Sequence, residues 1–145
     1  MTADLYETDI TAWAEAQSDA LRRRAANEID WHNVAEEIAD VAQRNRDRIE
    51  GALVTGILHM LKWQHQPQAR SNAWKAVIVA ERNRFARLIR RNPSLAGYPG
   101  VVLAKIYPDA RAQAEAESGL AGFPATCPWT IDQVLDPTLW PEDAP

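Results

Sequence analysis

The chain has 145 residues, 46% of them hydrophobic and 25% charged, with a formal net charge of −4. That is the length of one domain with ordinary globular composition, which excludes a disordered chain and argues against a general nucleic-acid binder. The only cysteine, Cys127, excludes an intramolecular disulfide and fits a reducing compartment. The acidic opening MTADLYETD lacks the pattern of a signal peptide, and the longest apolar run, Ala52 to Leu61, is too short to span a bilayer. A cytoplasmic protein with no membrane segment is expected.

Apolar spacing predicts a first helix over about 5–24, along Tyr6, Ile10, Trp13, Ala14 and Leu21, with Asp4 and Glu7 as a capping box. Asp30 is the next N-cap, opening a long second helix over about 31–65 that Pro67 stops. Between Ala52 and Leu61 this helix is apolar all round. It must therefore lie at the centre of a bundle or form a homodimer contact through Leu53, Val54, Ile57 and Leu61. Ser71 caps a third helix over about 72–91, with Trp74, Val77, Ile78, Phe85, Leu88 and Ile89 facing inward. Pro99 suits the start of a fourth helix over about 99–118 and Gly119 its end. Pro108 should kink that helix or divide it in two.

The tail, 120–145, holds a capping box at Thr130 and Gln133 that predicts a short helix to about Leu135. Trp129 and Trp140 would waste much apolar area in water, so the tail should pack as ordered structure. The expected fold is an all-α, four-helix bundle-like single domain over 1–145, with a long second helix and an ordered C-terminal tail.

Several stretches then form a combination. They are YETDITAW, DWHNVAEEIAD, LKWQHQP, NPSL, YPDARAQAEAESGL and FPATCPWTIDQVL. Together they resemble a bacterial family catalogued as a domain of unknown function, number twenty-nine in its series, over about residues 4–140. The resemblance implies a small helical domain and supplies no substrate, cofactor or catalytic residue. Gly97, Pro99 and Gly100 are weaker helix formers than the family leads one to expect at the start of the fourth helix.

No catalytic, metal or cofactor motif emerges. His59 and His65 are six apart, on different helix faces, and no H-E-x-x-H, G-x-S-x-G or phosphate-binding loop is present. Charge is unevenly spread: residues 1–61 carry −6, residues 62–91 +7 and residues 92–145 −5. In the basic third helix, Lys75, Arg82, Arg84, Arg87, Arg90 and Arg91 are anion-binding candidates, although they spread around the helix rather than forming one stripe. Salt bridging to Glu36, Glu37, Asp40 and the acidic fourth helix is the commoner arrangement for such a charge distribution. Trp63 and Trp74 should stack beside the connection between the second and third helices.

Polar residues at inward positions form a second group: Asn45, Arg48 and His59 on the second helix, and Glu81 on the third. Counting residues back from the connection sets Glu81 opposite Gly56. A buried carboxylate requires a partner, which predicts pairing with His59, or else with Arg48 or Arg44. The function favoured on these grounds is a non-catalytic protein-interaction or regulatory module. A nucleic-acid-associated protein using the 72–91 helix is the alternative, and an enzyme with an unrecognised site is third.

Overall fold

A computed structural model describes residues 2–142, with side chains from Leu5 onward. All of its regular structure is helical, and no strand occurs among the described residues. The α-helices are α1 (Thr2–Thr8), α2 (Ile10–Arg22), α3 (Trp31–His65), α4 (Asn72–Arg91), α5 (Tyr98–Ser118) and α6 (Ile131–Leu135). The chain is thus all-α with four long helices, a long second one among them, and an ordered tail carrying a short helix.

Local chemistry accounts for most helix ends. The Ser71 hydroxyl accepts the Trp74 amide, and Thr130 with Gln133 completes a reciprocal capping box. Gly119 closes α5 at φ +71°, the left-handed geometry that glycine adopts without strain. Two expectations are corrected. The first helix is broken in two at Asp9, whose carboxylate caps α2 by accepting the Ala12 amide at φ −153°. The capping residue expected instead, Asp4, has its side chain outside the described residues. Of the two outcomes expected at Pro108, division of α5 does not occur: the helix is continuous through it, and because Pro108 and Ala104 are both exposed, water can satisfy the carbonyl that the proline leaves without a donor.

Two compact units are present, one up to Arg44 and one from Asn45 onward. In the second, α3 buries Ile49, Leu53, Ile57 and Leu61, spaced four apart along one face. They pack in one core with Ile78 and Phe85 of α4, Val102, Ile106, Ala110 and Ala114 of α5, and Phe123, Trp129 and Val134 of the tail. Leu53, Ile57 and Leu61 are at most 2% exposed and Val54 is half-buried, so the apolar girdle does not form a homodimer contact. It is apolar round most of its circumference because this one chain covers most of it, leaving Val54 and His59 half-buried. Gly56 is buried where α3 meets α4: a methyl group there would lie 3.8 Å from the Glu81 Cβ.

In the first unit, α1, α2 and the first part of α3 bury only Trp13, Gln17 and Ala20 among the described side chains. Polar contacts do the closing. Buried Gln17 donates to the Glu28 carbonyl (3.2 Å) and accepts the Asp30 amide (2.7 Å). Trp13 Nε1 donates to Asp30 (3.1 Å), and Arg23 is held between Asp19 and Glu28.

Candidate functional site

Register counting from the α3–α4 connection brings Glu81 against Gly56, as the 3.8 Å approach shows. Hydrogen bonding does not follow the expected pairing. The His59 Nδ1–H donates to the Thr55 carbonyl of its own helix (2.8 Å), while Glu81 Oε2 is buried with no hydrogen bond and lies 3.9 Å from Arg84 of its own helix. A histidine four residues after a carbonyl finds an acceptor locally, without the cost of reaching across the core. Asn45 and Arg48 form a different group. Arg48, exposed, donates to Asn45 (3.4 Å), Asn45 donates to Asn92 (3.3 Å), and Asn92 donates to the Leu88 carbonyl (2.9 Å). This chain ties α3 to the C-terminal cap of α4.

Arg82 corrects the anion-binding group. It is 8% exposed, and its Nε donates to the Val134 carbonyl of α6 (3.0 Å). Burial lowers its affinity for the proton, with Asp136 opposing. The signal was legible in the spacing: Arg82 follows Ile78 by four and precedes Phe85 by three, both buried, so it shares their stripe. Lys75, Arg84, Arg87, Arg90 and Arg91 are exposed, and the 3.9 Å Arg84–Glu81 contact is their only ion pair among the described residues. The salt bridges of α5 run elsewhere: Lys62 to Glu117 at 2.9 Å and Lys105 to Glu50 at 3.3 Å join it to α3, and Arg111 pairs with Glu115 within it at 3.4 Å.

Trp63 packs on Trp140 at 5.1 Å rather than on Trp74, and Arg70 sits 5.0 Å over Trp63 while Lys62 sits 4.6 Å over Trp74. The Lys62 and Arg70 contacts brace the α3–α4 connection, and the tail is joined to it through Trp140, which also takes Lys75 and Arg82 of α4 at 5.6 Å each. Cys127 is half-buried, and burial pushes its thiol pKa up, away from nucleophilic chemistry. No three His, Cys, Asp or Glu side chains among the described residues converge as metal ligands would.

The surface that sequence reading passed over is in the first unit. An open groove of about 420 Å³ is lined by Trp13, Ala14, Ser18 and Leu21 of α2 and by Val34, Ile38 and Val41 of α3, with Glu37, Arg22 and Arg44 among its polar members. Leu21, Ile38 and Val41 are 43%, 66% and 51% exposed. Tyr6 donates to Glu37 (2.8 Å) and packs edge-on against Trp13 at 4.8 Å. That hydrogen bond, with the nearby charges of Glu37, Asp40 and Glu7, raises the Tyr6 pKa to about 12 and marks this part of the unit as electronegative.

The sequence profile of one family, described as domain of unknown function DUF29, matches residues 5–140. This chain belongs to the DUF29 family. No curated protein and no solved structure matches it. Membership of DUF29 assigns no chemistry, so the functional reading rests on the surfaces described above.

Proposed function

We propose that this DUF29 chain is a single-domain, non-catalytic protein-interaction module that engages another polypeptide through the groove of its N-terminal helices. One observation carries the reading. Of the large hydrophobic side chains exposed among the described residues, Ile10, Leu21, Trp31, Ile38 and Val41 fall in the first 44 positions, against Val79, Val101 and Leu120 in the rest. Scattered apolar exposure is normal, whereas Leu21, Ile38 and Val41 line one groove, the usual mark of a binding surface. Val34, Ile38 and Val41 recur at the spacing with which a helix presents anchors to another helix. A single half-buried thiol suits work in the cytoplasm, and no helix among the described residues is long and apolar enough to cross a membrane.

Photo-crosslinking amino acids placed at Ile38 or Val41 in living cells test the reading. Adducts with polypeptide are expected at both, and none at Val101, which is 77% exposed in the other unit. Silence at Ile38 and Val41 refutes it.

A second reading is favoured by the exposed Arg84, Arg87, Arg90 and Arg91, which the acidic residues described around them leave largely unpaired. A helix face of this kind suits a phosphate backbone, with binding that falls steeply as salt rises. A gel shift on single- and double-stranded RNA and DNA at low salt tests it, and unchanged mobility on all four refutes it.

A further inference from the structure

The geometry points to a second copy of this chain as the occupant of the N-terminal groove, an inference that rests on the interaction reading above. The first unit cannot draw its stability from its own core. Trp13 and Ala20 are its only buried apolar residues among the described side chains, and the buried Gln17 consumes its bonds in closing the loop. Chains of about 40 residues rarely suffice without a staple or oligomerisation. Covering Leu21, Ile38 and Val41 would remove the largest apolar area left open along this groove.

Charge order along α3 singles out the partner. Acidic Glu36, Glu37 and Asp40 precede basic Arg44, and Glu37 and Arg44, seven apart, line the same groove on either side of Ile38 and Val41. A helix with this order complements itself when turned end for end. With a twofold axis midway between Ile38 and Val41, Val41 of one copy meets Ile38 of the other. Arg44 then falls two residues, about 3 Å along the axis, from Glu37 of the second copy. Tyr6 occupies one Glu37 oxygen, and the other is free to accept the guanidinium. On α2, Ala14 and Ser18 line the groove with small side chains that admit close approach. Two such helix pairs form the layers of a four-helix arrangement. The groove is small beside a standard interface, so association that is reversible on dilution is expected.

Sedimentation velocity on the full chain over a wide concentration series decides this. A reversible shift from 16.2 kDa to twice that mass is expected. Ile38→Asp should abolish the dimer and Val101→Asp should leave it intact, with circular dichroism confirming that each variant is helical. Glu37→Arg and Arg44→Glu should each weaken association at least tenfold, and the double exchange should recover most of the loss. Both Glu37→Arg chains lose the Tyr6 hydrogen bond, so recovery reports the intermolecular pair alone. A chain that stays monomeric, a dimer indifferent to Ile38→Asp, or a double exchange as weak as either single change overturns the proposal. A monomer whose Ile38 crosslinks to a different protein overturns self-pairing and leaves the interaction reading standing.

Discussion

Glu81 and Arg82 are neighbours whose environments reverse the roles their side chains suggest. Arg82, charged at all ordinary pH, is buried against α6, while Glu81 lies at the α3–α4 contact with its side chain 17% exposed and Arg84 3.9 Å away. Arg82→Ala should cost about 2–4 kcal/mol, because the aliphatic stem packs in the core and the Val134 carbonyl loses its donor. Arg82→Met keeps the stem's bulk and should cost about 1 kcal/mol, and urea unfolding distinguishes the two. Glu81→Leu strands no buried cation and should leave stability unchanged or raised in the same assay. A loss of more than about 1 kcal/mol would contradict the described contacts. Asp30 supplies the pH dependence. Hydrogen bonds from Asn33 and Trp13 hold its carboxyl below the ordinary range, and Arg23 does the same for Glu28. Groups lowered on folding contribute stability above their unfolded pKa and lose it as pH falls through the folded one. The N-terminal unit should therefore keep full stability down to about pH 5 and loosen progressively as pH falls below about 4. Amide exchange at Gln17 and Asp30 would follow this, and Asp30→Asn should remove part of the dependence.

At the scale of elements, the tail behaves as part of the core. Phe123, Trp129 and Val134 are at most 8% exposed, Tyr107 donates to the Pro124 carbonyl (2.7 Å), and Trp140 packs on Trp63. Removing residues 120–145 should cost several kcal/mol, since truncating one buried Trp or Phe costs about 3–5, and thermal melting of the shortened chain checks it. In α5, Pro108 leaves the Ala104 carbonyl without its helical donor at an exposed position. Pro108→Ala should raise stability by about 1–3 kcal/mol, read from the urea midpoint.

For the whole molecule, the uneven distribution of buried apolar side chains sets an order of stability. Native-state hydrogen exchange should show the slowest amides in α3 from Ile49 to Leu61, where Ile49, Ile57 and Leu61 are fully buried. Amides of α2 should exchange faster by orders of magnitude, and their protection should rise with protein concentration if a second copy covers the groove. Equal protection in both units at every concentration would contradict this order.

The helix boundaries 31–65, 72–91 and 131–135 follow from the sequence alone, because Asp30, Ser71, Thr130 and Pro67 act on residues one turn away. The register that sets Glu81 against Gly56 was legible for the same reason, since a short connection and the rise per residue determine it. Local signals were missed only where two competed, as at Asp9, where an N-cap prevailed over a continuous apolar line. Hydrogen-bond partners and burial on the second face of a helix were decided by tertiary structure. His59 could reach Thr55 as well as Glu81, and Arg82 could snorkel outward or dock on α6, choices that depend on which neighbour arrives. The apolar girdle and the groove make the same point in opposite directions. Leu53, Ile57 and Leu61 could equally have been bundle centre or homodimer contact and are covered, whereas Ile38 and Val41, apolar residues of the same helix, stand open. Periodicity reports that a face is apolar, and only the packing of the whole chain determines what, if anything, covers it.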